Sequence, residues 1–149
     1  MTEDIRFMQM ALREARLAAQ EGETPIGAVV VAGGEVVASA HNTRERDHDI
    51  TAHAELIAIR QVAKGRKDWR LGDCTVYVTL EPCPMCAGAL IASRVARVVY
   101  GAKDPVAGAT GSVVNLPRYP LGAKPVIHGG VLEQECKEIL QSFFKDKRN

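Results

Sequence analysis

The sequence lacks any apolar run long enough to cross a lipid bilayer, and its first residues are acidic where a secretory signal would be basic. It also lacks internal repeats, linkers and low-complexity tracts. A net charge of +1 over 149 residues shows no excess of either sign, so composition gives no argument for a nucleic-acid partner. We therefore expect no membrane partner, a cytoplasmic location and a single domain over residues 1–149, long enough to bury a core.

Cysteine and tryptophan are both scarce. Four cysteines could form two disulfides, but in a cytoplasmic chain a C-x-x-C pair near a histidine motif favours a metal site. That pair is Cys83 and Cys86. The isolated Cys74 and Cys136 stand in apolar surroundings and are expected to be small buried hydrophobic residues. The single Trp69 is expected to have a packing role.

One histidine and two cysteines make a candidate metal centre. The motif H-A-E at 53–55 is followed, after 26 residues, by P-C-P-M-C at 82–86. An imidazole with two thiolates suits Zn²⁺, and a catalytic zinc site takes three protein ligands and leaves a fourth position to water. We predict one zinc ion per chain, held by His53, Cys83 and Cys86.

The carboxylate two residues after the histidine completes a catalytic pattern. The arrangement H-x-E…P-C-x-x-C is a known signature of the zinc-dependent nucleobase deaminases, which this chain resembles. The resemblance predicts an enzyme that hydrolyses an exocyclic amine, with Glu55 moving a proton from water to the ring nitrogen and then to the departing amine. Both motifs are predicted to begin helices, so the backbone amides of Ala54 and Cys83 are candidates to stabilise the charged intermediate.

A structural zinc site is the alternative from a different functional class. If Cys74 were a fourth ligand, the chain would be a non-catalytic, zinc-stabilised binding module. A cysteine at the start of a strand has no reason to face two helix starts, so the three-ligand site is favoured. His41, His48 and His128 are interpreted as surface or hydrogen-bonded histidines and not as ligands.

Hydrophobic periodicity predicts an α/β fold, a three-layer α/β/α sandwich around a mixed five-stranded sheet. The first two strands are expected to be antiparallel and the later ones parallel. Thr51 is predicted to cap the second helix, and the polar segment 42–49 and the Gly- and Pro-rich segment 103–120 to be loops, the latter with at most one helical turn. The predicted helices are 1–20, 52–64, 84–91 and 132–145, and the predicted strands 25–31, 35–40, 74–80, 95–100 and 125–128.

Further blocks extend the resemblance over nearly the whole chain. The chain resembles the bacterial tRNA-specific adenosine deaminases of the cytidine deaminase-like superfamily, and the resemblance implies a homodimer that converts the wobble adenosine of a tRNA anticodon to inosine. The partner implied is an anticodon stem-loop. The blocks are T-P-I-G-A-V at 24–29, Asn42, T-A-H-A-E at 51–55, V-T-L-E-P-C-P-M-C-A-G-A at 78–89, G-A-K-D at 101–104, G-A-T-G-S at 108–112 and Phe143-Phe144.

The same resemblance implies a set of RNA contacts. For every member except Asn42, a packing or solvation role is a serious alternative. The residues are Asn42 at the flipped nucleotide, Ile26 and Ala28 in its pocket, Lys103 and Asp104 at neighbouring nucleotides, and Phe144 with the basic residues after it at the anticodon loop.

The nearest rival function keeps the mechanism and changes the substrate to a free base or nucleoside such as guanine, cytosine or cytidine. A small substrate needs a closed pocket, usually completed by a C-terminal segment that folds over it. This chain ends in a basic helix with no evident lid, which favours an open site that RNA can reach.

Overall fold

The computed structural model describes residues 2–148. Helices and strands alternate along most of the chain, as the sequence periodicity predicts. In chain order the elements are α1 (Thr2–Gln20), β1 (Gly27–Ala32), β2 (Glu35–His41), α2 (Arg44–Asp47), α3 (Ala54–Arg66), β3 (Cys74–Leu80), α4 (Pro84–Ala92), β4 (Arg97–Ala102), a 3-10 turn (Leu116–Arg118), β5 (Val126–His128) and α5 (Glu133–Arg148).

The five strands form one mixed sheet in the order β2-β1-β3-β4-β5. Strand β1 is antiparallel to both β2 and β3, whereas β3, β4 and β5 are parallel. A parallel pair needs a crossover connection, and α4 supplies it between β3 and β4. Helix α4 therefore begins at the carboxyl edge of β3. The mixed five-stranded sheet and its strand directions are confirmed.

Side chains alternate between the two faces of the sheet and bury helices on both sides. On β3, Val76 and Val78 belong to the core cluster that contains Leu56 of α3 and Leu90 of α4. Tyr77, between them, belongs to the opposite cluster, with residues of α1. Successive side chains of a strand point to opposite faces of the sheet, and here both faces are buried. The α/β/α layering predicted from sequence is confirmed.

Helix α1 packs closely against the start of β1 because Gly27 has no side chain. A Cβ atom there would lie 2.0 Å from the carbonyl oxygen of Ala11 and 2.6 Å from the backbone nitrogen of Ala15. The Gly27 N–H also donates to Thr79 Oγ1 at 3.1 Å. This close packing fixes α1 against the end of the sheet at which the site is built.

Some local predictions were wrong. Helix α3 begins at Ala54 with His53 as its N-cap, not at Ala52 with Thr51 as the cap. The Thr51 hydroxyl instead donates to Asp49 Oδ1 at 2.7 Å, so a local turn removes it from the helix start. The segment 42–49, predicted to be a loop, contains the short helix α2.

Trp69, predicted to be a packing residue, packs at the surface against two arginines. The side chain is 48% exposed, and the guanidinium groups of Arg70 and Arg94 lie 4.6 and 5.5 Å from its ring centroid. Cys74 and Cys136, in contrast, are fully buried as predicted. Across residues 2–148, the structure contains no helix with the length and apolar character required to span a bilayer.

Candidate active site and metal centre

The two sequence motifs meet where α3 and α4 begin. Cys83 is the N-cap of α4, Pro84 follows at its first position, and Cys86 lies in the first turn. His53 is the N-cap of α3. Extended backbone at both caps, with φ and ψ of −82° and 148° at His53 and −74° and 173° at Cys83, places these side chains beside the helix starts. His53 thereby becomes a neighbour of two cysteines that follow it by 30 and 33 residues in the sequence.

The three donor atoms have the spacing of a tetrahedral zinc site. His53 Nδ1 lies 3.4 Å from Cys86 Sγ and 3.7 Å from Cys83 Sγ, and all three atoms lie within 4.8 Å of one another. With Zn–S near 2.3 Å and Zn–N near 2.0 Å, a tetrahedral angle requires an N···S separation of roughly 3.6 Å. The donor set and its spacing therefore fit one zinc ion.

Cys74 is not part of this cluster. It is fully buried, and its Sγ lies 3.6 Å from Asp73 Oδ1. Within residues 2–148, the metal-ligating side chains that come together are His53, Cys83 and Cys86. The geometry leaves the fourth position of a tetrahedral ion without a protein ligand among the described residues, which is the arrangement of a catalytic site.

Mutual hydrogen bonds shift the pKa values of the three donor residues in the metal-free chain. The contact with Cys86, together with one from His53, lowers the pKa of Cys83 to about 4. The same contact, with burial, raises the pKa of Cys86 above its usual value. The hydrogen bond to Cys83 raises the pKa of His53. The chain therefore supplies one ready thiolate, the form that binds metal, beside a second thiol.

Glu55 lies in the first turn of α3 with its carboxyl group beside the cluster. The residue is 4% exposed, and burial raises the pKa of Glu55 to about 7. Glu55 also lines a cleft of about 180 Å³, together with His53 and Cys83. A carboxyl group that exchanges its proton near neutral pH is suited to general acid–base work.

The cleft is lined by several segments between residues 24 and 107. Its small volume suits one base and not an extended strand. Of the residues predicted to contact substrate, Ile26, Asn42 and Asp104 line it. The complete lining is Thr24, Ile26, Asn42, Arg44, His53, Glu55, Leu80, Glu81, Cys83, Asp104 and Ala107.

The other predicted substrate contacts lie outside this lining. Ala28 is fully buried in the core on β1, and Ala54 is fully buried at the start of α3. Lys103 is exposed next to Asp104. Phe144 is 45% exposed on α5. The structure therefore brings the predicted metal ligands, Glu55 and three of the predicted RNA contacts to one place. It leaves Ala28, Lys103 and Phe144 outside the lining, while Ala54 lies between His53 and Glu55 at the start of α3.

Asn42 and Asp104 each have contacts within the protein. Asn42 Oδ1 accepts from the Arg44 N–H at 3.1 Å, and Asn42 Nδ2 lies 3.4 Å from the Thr24 carbonyl oxygen. Asp104 Oδ1 accepts from the N–H groups of Val106 and Ala107 at 2.9 and 3.2 Å. Both side chains are held in fixed orientations at the wall of the cleft.

Sequence reasoning missed two buried carboxylates that hold the cleft walls. Glu23 accepts from the N–H groups of Glu45 and Arg46 at 3.0 and 2.7 Å and so fixes α2. Glu81 is 2% exposed and lines the cleft. Burial acts to raise the pKa of Glu81, but hydrogen bonds from Ser112 and from neighbouring backbone amides hold it below its usual value. The signal available in the sequence was an acidic residue between a buried strand and the cysteine motif.

Comparison with known proteins gives the family. A family model described as the cytidine and deoxycytidylate deaminase zinc-binding region matches residues 1–102. The tRNA-specific adenosine deaminase of Bacillus subtilis (strain 168) is 48% identical over 151 residues, which covers 99% of this chain and 92% of that protein. The chain belongs to the tRNA-specific adenosine deaminase family. The resemblance predicted from the motifs is confirmed.

Solved structures agree with the placement in this deaminase family. One, from biochemical and structural studies of A-to-I editing by tRNA:A34 deaminases at the wobble position of transfer RNA, matches with a TM-score of 0.88 and 43% identity, covering 91% of this chain and 99% of that chain. The guanine deaminase of Bacillus subtilis matches with a TM-score of 0.63 and 38% identity, covering 66% of this chain and 63% of that chain.

Proposed function

We propose that this deaminase hydrolyses the exocyclic amine of the wobble adenosine in a tRNA anticodon loop and leaves inosine. The observation that carries the chemistry is the buried Glu55 carboxyl group in the same small cleft as His53 and Cys83. The RNA substrate is supported by the relatives, which are named for acting on tRNA.

We assign one zinc ion per chain to His53, Cys83 and Cys86, whose donor atoms have the required spacing. The chemistry that zinc supplies when bound is the activation of water as a nucleophile near neutral pH. The chain's contribution to holding the ion is a set of side chains fixed at two helix starts.

Glu55 manages the protons of the reaction. Its carboxylate accepts a proton from the attacking water and passes it to the ring nitrogen of the base. It then takes the second proton of that water, from the new hydroxyl group, and passes it to the departing amine. The carbon–oxygen bond forms first, as water adds to the ring carbon, and the exocyclic carbon–nitrogen bond breaks afterwards, so one water is consumed and ammonia leaves. We assign stabilisation of the charge that develops to the backbone amides of Ala54 and Cys83, because helix starts carry free N–H groups.

The cleft would hold a single base taken out of a single-stranded loop, where unstacking costs least. Asn42 and Ile26 contact this base, and Asp104 with the exposed Lys103 meets the neighbouring nucleotides. Phe144 and the basic residues that follow it contact the loop farther from the cleft. Ala28 acts through packing beneath the pocket, since its side chain is fully buried.

Two further properties belong to this proposal. Residues 1–149 form one deaminase domain, because both hydrophobic clusters pack against a single sheet. The protein works in the cytoplasm as a homodimer.

A reducing compartment is supported by the four cysteines, all free thiols in the structure. The dimer is supported by exposed apolar side chains in the segment 113–121, namely Val113, Val114, Tyr119 and Leu121.

A deaminase of free guanine is the second candidate, favoured by the 38% identity to a guanine deaminase. The deciding experiment offers the zinc-loaded protein an anticodon stem-loop with adenosine at the wobble position, beside free adenine, adenosine, guanine, cytosine and cytidine. We expect inosine in the RNA alone. Ammonia released from a free base or nucleoside, with the RNA unchanged, would keep the mechanism and overturn the substrate.

A further inference from the structure

We propose that Glu81 is a positioning residue for the RNA substrate. Its buried carboxylate fixes the loop 104–112 (hereafter the wall loop), and through it the part of the cleft wall that Asp104 and Ala107 form. The identity of the substrate rests on the function proposed above. Glu81 itself is assigned no chemical step.

The carboxylate ties together residues from both ends of the wall loop. Glu81 Oε1 accepts from the Asp104 N–H at 3.1 Å and from the Ser112 hydroxyl. Glu81 Oε2 accepts from the N–H groups of Thr110 and Ser112, each at 3.1 Å. One buried side chain therefore closes a loop whose own residues are otherwise joined by turns.

These contacts also explain why Glu81 cannot serve as an acceptor for substrate. An ionised carboxylate offers about four lone-pair positions. The wall loop fills two at each oxygen, although the residue lies at the cleft. The carboxylate is fully occupied in holding protein groups, so its effect on substrate must pass through the loop.

The wall loop is joined to the segment that carries the first cysteine ligand. The Ala109 N–H of the loop donates to the Pro82 carbonyl oxygen at 2.8 Å. Just before the loop, the carbonyl oxygen of Ala102 at the end of β4 accepts from the Glu81 N–H at 2.8 Å. Residues 81 and 82 immediately precede Cys83. A shift of the loop against this segment would move Asp104 and Ala107 relative to the donor cluster, and so change the fit of a base and its neighbours.

Gly108 shows how closely the wall loop approaches the carboxylate. A Cβ atom at this position would lie 2.5 Å from Glu81 Oε2 and 2.5 Å from the Asp104 carbonyl oxygen. Real Cβ atoms do not approach that closely, so Gly108→Ala must force the loop and the carboxylate apart without removing the carboxylate. It offers an independent way to break the same contact.

The test uses the full-length, zinc-loaded protein with an anticodon stem-loop as substrate. Glu81→Gln keeps the shape but turns an amide group toward N–H donors, and leaves buried donors unpaired. We expect KM to rise at least tenfold while kcat stays within threefold. Gly108→Ala should reproduce this change, and the double variant should show less than the product of the two effects, because both break one contact.

Hydrogen exchange supplies a readout that does not depend on activity. In Glu81→Gln we expect the amides of Asp104, Thr110 and Ser112 to exchange at least tenfold faster, measured without substrate. Glu23→Gln removes the other buried, backbone-binding carboxylate and should instead accelerate exchange at Glu45 and Arg46. The exposed Glu35→Gln should alter neither exchange nor kinetics.

Specific results would overturn the inference. One is a loss of kcat with KM unchanged in both variants. The other is faster hydrogen exchange in the wall loop with KM unchanged, which would make Glu81 a purely structural residue. If Glu81→Gln does not fold or loses zinc, Gly108→Ala alone decides. Failure of the proposed function is recognised separately, because the wild-type protein would then leave the stem-loop adenosine unchanged.

Discussion

Glu55 is the residue on which the proposed chemistry depends most directly. We predict that Glu55→Gln lowers kcat by at least about 10²-fold, because general acid–base catalysis contributes roughly 10²–10⁴-fold. Zinc content and the unfolding midpoint should stay close to those of the wild type, since Glu55 is not among the donor cluster. Steady-state kinetics and metal analysis check this. Loss of zinc together with activity would favour a structural role for the site.

Substitution of Cys86, unlike that of Glu55, should change both the zinc content and the stability of the protein. We predict that Cys86→Ala releases the metal and lowers the free energy of unfolding, because metal binding and folding are coupled. Cys74→Ala is a matched control, as it removes another fully buried thiol that is outside the donor cluster. Zinc content and thermal unfolding should be measured for both variants. Retention of a full equivalent of zinc by Cys86→Ala would contradict the assigned ligand set.

The motif residues could be predicted from the sequence, whereas the walls of the cleft could not. His53, Glu55, Cys83 and Cys86 follow a spacing rule that helix starts make physically sensible. Glu81 follows none, because its partners are 23 to 31 residues away and become neighbours through tertiary structure. A buried acid whose partners are backbone amides has no local sequence pattern.

At the scale of elements, Asp4 joins α1 to the middle of the sheet. Its carboxylate accepts from Tyr77 Oη at 2.7 Å on β3 and from both terminal nitrogens of Arg97 at 2.9 and 2.6 Å on β4. The hydrogen bond from Arg97, against the opposing effect of burial, lowers the pKa of Asp4 to about 2. The link between helix and sheet is thus a charged one.

This shift gives a stability prediction with a defined sign. A carboxyl group whose pKa is lowered on folding stabilises the protein fully above its unfolded pKa, near 3.8, and that contribution is lost as the pH falls towards 2. We predict that Asp4→Asn lowers the free energy of unfolding by about 2 kcal/mol at pH 7. Denaturation measured from pH 7 to pH 2 should show the difference from wild type shrinking below pH 4. A difference that is constant over this range would contradict the assignment.

Apart from α2, the element types were predicted correctly, and their starts less well. The alternation of Val76, Tyr77 and Val78 follows from burial on both faces, which periodicity reports directly. The start of α3 was misplaced because Asp49 competes for Thr51, a side-chain contact that helix propensity does not include. Helix α2 was missed because it buries no residue and is held by Glu23 from a distant segment.

At the scale of the whole molecule, the exposed apolar segment 113–121 predicts self-association. Val113, Val114, Tyr119 and Leu121 are each at least 45% exposed, and exposed apolar side chains that form a contiguous patch mark an interaction surface. We predict a dimer in sedimentation equilibrium and a shift toward monomer for Leu121→Lys. The exposed Val126→Lys, outside the segment, is the matched control. A monomeric wild-type protein would remove the homodimer from the proposed function.

The distribution of the four thiols has a consequence for chemical inactivation. Cys74, Cys86 and Cys136 are fully buried, and Cys83 alone among the cysteines is partly open to solvent. Its lowered pKa makes it a thiolate in the metal-free chain. An alkylating reagent added to the folded protein should therefore label Cys83 first, quickly after zinc is chelated and slowly before. Peptide mapping after brief labelling would then measure metal occupancy, and exposure to electrophiles would damage the protein mainly in its metal-free form.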